Sequence, residues 1–98
     1  LLETEHVKKS LEVLFGWLNG LSNPSENDIL LFHIVFLYIH PFEDGNGRVA
    51  RIIAHEQCLH HGYLPEWLYI RSKNRYDDLF RDNLDEEIYK VFMDKYGK

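Results

Sequence analysis

Apolar residues in the first part of the chain recur at Val7, Leu11, Leu14 and Leu18, at spacings of four, three and four. That is the stripe of an amphipathic helix, and it predicts one from about Glu3 to Leu18. Asn19-Gly20 is expected to end it, because glycine accepts the left-handed conformation that closes helices. Asn23-Pro24-Ser25-Glu26 then reads as a helix start, with Asn23 as the cap, Pro24 at the first helical position and Glu26 as the capping-box carboxylate. The helix that follows is apolar nearly all round, through Ile29, Leu30, Leu31, Phe32, Ile34, Val35, Phe36 and Leu37, and belongs at the centre of a domain. It should stop near His40, since a residue before proline is pushed out of the helical region.

Pro41 to Gly45 reads as a turn, and a further helix is predicted from about Asn46 to His60, with Val49, Ile52, Ile53 and Leu59 on its buried side and His61-Gly62 at its end. Tyr63 to Ile70 holds Pro65, Trp67 and Tyr69 and reads as an extended connector. Asn74 to Asp82 and Asp85 to Tyr96 read as two more helices, with Leu79, Phe80, Ile88, Val91 and Phe92 as core contacts. Alternation with a period of two is absent over any useful length, so the expected fold is all-α.

Composition narrows the function classes. At 98 residues the chain is one domain. A formal net charge of −5 argues against nucleic acid or an anionic membrane as partner, because both attract basic surfaces. The longest apolar stretch, Ile29 to Ile39, is interrupted by His33 and is too short to span a bilayer. Cys58 is the single cysteine, so no intramolecular disulfide forms, which fits a reducing compartment or a protein indifferent to redox state; a cytoplasmic location is expected. No signal peptide is evident, and because Leu1 opens the chain without a methionine, the segment is expected to belong to something longer.

Chemistry concentrates between His40 and Arg51. Gly45 and Gly47 let the backbone approach a ligand closely, and the turn opens directly into a helix whose first N–H groups are unpaired. That is an anion site suited to phosphate. Arg48 and Arg51 lie one turn apart on one face, and arginine grips phosphate through paired hydrogen bonds. Asp44 is an anion among positive groups, which calls for a bridging cation, Mg²⁺ being the usual one. His40, at the end of the preceding helix, is a base suited to neutral pH. Together these point to nucleotidyl or phosphoryl transfer.

His40-Pro41-Phe42-Glu43-Asp44-Gly45-Asn46-Gly47-Arg48 resembles the signature of the Fic family, His-Pro-Phe-x-(Asp/Glu)-Gly-Asn-Gly-Arg, at each fixed position, and Arg51 matches the second arginine of its longer form. Trp17-Leu18-Asn19 and Gly62-Tyr63 resemble family features on either side, and Arg75-Tyr76 is similar to a later Arg-x-x-Tyr-Tyr region only loosely. The resemblance implies a Fic-like helical bundle, residues 1–98 forming its catalytic core, with the motif loop between two central helices. It also implies a protein adenylyltransferase, which moves AMP from ATP to a Ser, Thr or Tyr hydroxyl of a target protein and releases pyrophosphate.

By the same resemblance His40 is the general base, Phe42 points inward and anchors the loop, and Asp44 holds Mg²⁺ between the α- and β-phosphates. Asn46 and the N–H groups of Gly45 and Gly47 bind phosphate oxygens, Arg48 the β-phosphate region and Arg51 the γ-phosphate. Gly47 favours AMP transfer, because Doc-like relatives that act as kinases carry lysine there. Val49 and His55 depart from the common pattern, which has threonine and asparagine at those places. The flap, a hairpin that aligns targets, precedes the Trp-Leu-Asn helix in the family and is not evident in Leu1 to Glu5.

Several features have plainer readings. Ser22 to Asn27 formally fits the family's inhibitory pattern, Ser/Thr-x-x-x-Glu-Gly/Asn, but Pro24 interrupts it and a helix cap explains each residue. His55, Cys58, His60 and His61 suggest zinc, yet Leu59 stands where His-Glu-x-x-His needs its second histidine, and Cys58 reads as a small buried residue. Trp17, Tyr38, Trp67 and Tyr69 read as packing, and the acidic residues Asp77-Asp78 and those from Asp82 to Glu87 as a solvated face. Two alternatives stay open: transfer of UMP or phosphocholine from another diphosphate donor, and a nucleotide-binding regulatory module with an inhibitory helix or antitoxin partner.

Overall fold

The computed structural model describes residues 2–69 and 84–98. Four α-helices carry the described part: α1 (Thr4–Gly20), α2 (Glu26–Ile39), α3 (Asn46–His61) and α4 (Leu84–Tyr96), with a 3-10 turn at Glu66–Tyr69. No strand occurs among the described residues, so the domain is all-α as the pattern predicts. The helix expected over Asn74 to Asp82 lies outside the described residues.

α2 is the centre, packed by α1, α3 and α4. Its all-round apolarity is the cause: Ile29, Phe32, Val35, Phe36 and Ile39 are buried in several directions at once. From α1 come Leu14 and Leu18, with Val7 and Leu11 half-buried on the same stripe; from α4 comes Phe92. Burying each such large side chain contributes about 1.5–3 kcal/mol. The Phe15 ring meets Phe32 edge-on at 5.4 Å, and Trp17 meets Phe92 at 5.2 Å, geometries that aromatic quadrupoles favour. Ser10, buried on α1, shares a 2.6 Å hydrogen bond with the Tyr89 hydroxyl of α4, which ties two elements far apart in sequence.

Several local expectations are corrected. α1 runs through Gly20 and leaves by Leu21 in an extended conformation, so Gly20 supplies no left-handed cap. α2 is capped by Ser25 and not by Asn23: the Ser25 hydroxyl accepts from Asp28 N–H at 3.1 Å, and the Asp28 carboxylate accepts from Ser25 N–H at 2.9 Å. The reciprocal pair is a capping box set two residues later than Asn23 and Pro24 suggest. Pro24 is instead buried, and its carbonyl accepts from the Tyr63 hydroxyl at 2.9 Å.

The buried side of α3 also differs. Ile52 and Leu59 are 60% and 58% exposed, whereas Asn46, Ala50, Ala54 and Cys58 are buried. Spaced by four, these small side chains let α3 lie close against the bulky face of α2. On α4, Val91 is exposed for the same reason of register, since Phe92 takes the inward position. The connector after α3 begins extended but tightens into the 3-10 turn at Glu66–Tyr69, with Leu68 N–H donating to the Pro65 carbonyl. Gly62 does close α3 as expected, at φ 78°.

Candidate active site

The motif loop joins the C-terminus of α2 to the N-terminus of α3, so helix packing sets its two ends. At the α2 end, His40 is the cap residue, and its N–H donates to the Phe36 carbonyl at 3.1 Å. Its backbone is left-handed, φ 52° and ψ 60°, and it is the one non-glycine residue with positive φ among those described. That conformation costs a non-glycine residue on the order of 1–2 kcal/mol. The side chain is exposed, outside the hydrophobic interior. A strained backbone beneath an exposed histidine is a common mark of a functional position.

At the α3 end, Gly45 is the N-cap, at φ 83°, where a side chain would be strained. Its carbonyl accepts the first bond of the helix, from Val49 N–H at 3.0 Å. The N–H groups of the first turn have no partner inside the helix and carry its positive end. A Cβ built on Gly47 meets nothing within 4 Å, so this position faces open space. Asp44 is exposed, and its carboxylate accepts from Gly45 N–H at 2.8 Å.

The anchor of the loop is Asn46 and not Phe42. Phe42 is 49% exposed, so it does not plug the core as the motif implied. Asn46 is buried, and its side-chain amide clamps the backbone of Phe42: Oδ1 accepts from Phe42 N–H at 2.9 Å, and Nδ2 donates to the Phe42 carbonyl at 2.8 Å. The clamp explains how the five-residue turn from Pro41 to Gly45 keeps a defined shape without an inward aromatic. It also commits much of Asn46's hydrogen-bonding capacity to the protein itself.

Arg48 and Arg51 share the wall of an open cavity of about 380 Å³, together with Ile52 and His55 of α3 and Leu68 of the 3-10 turn. The structure thus brings the two arginines together, while His40 and Asp44 lie at the loop beyond that lining. Ile52 and Leu68 carry no site expectation from the sequence, and His55 stands there as a departure from the family pattern that bears on contacts near the nucleotide or the loop. For the α3 pair the signal is present in the chain, since positions 48, 52 and 55 fall on one helical face. Leu68 arrives from a turn that no spacing rule connects to α3.

His33 is the other functional candidate missed at the level of sequence. It is wholly buried on α2, and its ring packs against Trp67 at 5.0 Å. Burial, with a smaller contribution from the positive charge of Arg51, lowers its pKa to about 4, so it is neutral at physiological pH. Cys58 is buried too; burial pushes its thiol up, and the Glu26 carboxylate adds to that. Glu26, the first residue of α2, is exposed and acts on Cys58, two turns beyond Arg51 along α3. The cap reading of Ser22 to Asn27 therefore fits the structure.

No helix among the described residues is long and apolar enough to cross a membrane. No three histidine, cysteine or acidic side chains among them gather as a metal cage.

The model of the Fic/DOC family matches residues 1–58 of the chain. Among curated proteins, the chain is 31% identical over 75 residues to protein adenylyltransferase fic-1 of Caenorhabditis elegans, covering 74% of this chain and 15% of that protein. It is 35% identical over 76 residues to protein adenylyltransferase Fic of Nematostella vectensis, with 74% and 17% covered. It is 35% identical over 69 residues to a probable protein adenylyltransferase of Aquifex aeolicus, with 66% and 21% covered. The chain thus spans about a fifth or less of the length of these relatives. No solved structure gives a significant match.

Proposed function

The chain belongs to the Fic/DOC family, and from that premise we propose that it is the catalytic core of a protein adenylyltransferase, moving AMP from ATP to a Ser, Thr or Tyr hydroxyl of a target protein in the cytoplasm. The observation that carries the reading is the junction itself: an exposed histidine held in a strained cap at the end of one helix, joined by a short turn to the open, glycine-capped N-terminus of the next.

His40 would take the proton from the target hydroxyl as its oxygen attacks the α-phosphate, and pyrophosphate would leave. The first-turn N–H groups at Gly47 and Arg48 would receive the charge that builds on the phosphate oxygens, which is usually the largest contribution to such catalysis. Arg48 and Arg51 would orient the remaining phosphates from the cavity wall. The open space at Gly47 leaves room for the α-phosphate, which supports AMP transfer over phosphorylation.

Asp44 fits a Mg²⁺ ion of the kind that is held by one carboxylate and by substrate phosphates. It is exposed at the mouth of the cradle, and the described residues form no closed protein cage. Such an ion would supply charge neutralisation between adjacent phosphates when bound.

The test is incubation of the full chain with labelled ATP and cell lysate. Transfer to protein is expected, and His40→Ala should reduce it by about 10²–10⁴-fold. Label that appears as the γ-phosphate and not as AMP would refute the reading. Competition by UTP or a choline-linked diphosphate would show whether the same cradle prefers another donor.

A further inference from the structure

The outer face of α4 carries charges whose partners the helix itself does not supply. Glu87 and Lys95 are exposed and stand eight residues apart, about 12 Å along the axis and too far to pair with each other. The position four residues from both, where an intrahelical partner would stand, is Val91, an apolar side chain that is 66% exposed. The neighbouring face shows the contrast, for there Glu86 pairs with Lys90 at 3.0 Å, one turn on. Beside Val91 an apolar groove of about 390 Å³ runs between α4 and α2, with Leu31, Phe92 and Tyr96 in its walls and Glu87 and Lys95 completing the lining. The Lys95 ammonium lies 5.3 Å from the centre of the Tyr96 ring, which holds its charge beside the groove. None of these residues lines the arginine cavity.

Glu87, Val91 and Lys95 form one ridge of the helix, with opposite charges at equal distances from a central apolar residue. Such a ridge is complementary to itself. A twofold axis at Val91 sets Glu87 of each copy against Lys95 of the other and brings the two valines together at the centre. We propose that this face is where a second copy of the chain docks, α4 across α4 and antiparallel, with each copy's Val91 at the mouth of the other's groove. Ridges of residues four apart interdigitate at about 50°, which is the crossing expected here. An unrelated apolar helix would cover the valine and the groove but leave both charges uncompensated. One helix face makes a small interface, so the expected dissociation constant is on the order of 10 µM.

The experiment is sedimentation velocity of the full chain over a concentration series from about 1 to 300 µM. The parent should pass from monomer to dimer, and added salt should weaken the dimer. Glu87→Lys sets like charges at both ends of the contact, as does Lys95→Glu, and each is expected to weaken association about tenfold. An equimolar mixture of the two variants should recover it, because each residue 87 then meets an opposite charge at 95. A misfolded variant is not rescued by mixing, so recovery reports pairing and not fold. A parent that stays monomeric throughout overturns the proposal and leaves the groove to a different partner. A dimer that neither variant weakens lies on another face, and a loss that mixing does not repair shows the charges acting within one copy; either result overturns it too.

Discussion

Asn46 and Phe42 hold each other across the motif turn through two hydrogen bonds of 2.8 and 2.9 Å, side chain to main chain in both directions. The clamp makes Asn46 a structural residue of the motif turn. Asn46→Ala should therefore destabilise the fold by about 2 kcal/mol, as two such bonds are lost from a partly buried turn. Urea unfolding checks this. If Asn46 contacted only phosphate, the midpoint would not move.

His40 separates stability from activity in the opposite direction. Its left-handed backbone suits glycine. His40→Gly should be more stable than His40→Ala by about 1 kcal/mol, although both lack the imidazole. Thermal unfolding of the pair, read beside AMP transfer, tests whether strain and chemistry reside in one residue.

Gly47 lies in the first turn of α3 with open space where a Cβ would go. Gly47→Ala should fold at least as well as the parent and gain up to about 1 kcal/mol from reduced backbone freedom. ATP affinity should nevertheless fall, because the methyl group enters the approach to the first-turn amides. Calorimetry together with thermal melting would show the two changes diverging; a variant that binds ATP normally would count against the cradle.

His33 predicts a specific acid sensitivity. Its pKa is about 4 in the folded chain against an ordinary 6.5, so the unfolded chain binds the proton first. Stability should be undiminished above pH 6.5 and fall as the pH drops toward 4, by on the order of 3 kcal/mol from this group. In His33→Phe the slope of stability against pH over that window should be shallower. Equal slopes in chemical denaturation at several pH values would contradict a neutral buried imidazole.

Much of this was legible before any coordinates. Helix-spaced apolar residues located α1, α2 and α3, and the fixed order of the motif placed the loop between the two central helices. What escaped was decided by packing. The chain shows Ile52 and Leu59 as apolar, but only the closeness of α3 to α2 turns Ala50, Ala54 and Cys58 inward in their place. Phe42 likewise suggests an anchor by its type, while the anchoring amide of Asn46 acts through backbone atoms that no residue name reveals. His33 interrupts an apolar run in plain view, yet the Trp67 ring it packs against comes from another element.

The seam of small residues along α3 has a consequence for how such a protein can change. His40 and the first turn of α3 sit on different helices, so the gap between them is a readout of how Ala50 seats among Phe32 and Phe36 and how Ala54 seats beside Ile29. A single added methyl group there would tilt one rod on the other and move the histidine away from the amides without touching either. Variants with tuned or silenced turnover should thus be recoverable from the dry interior, far from anything a substrate contacts.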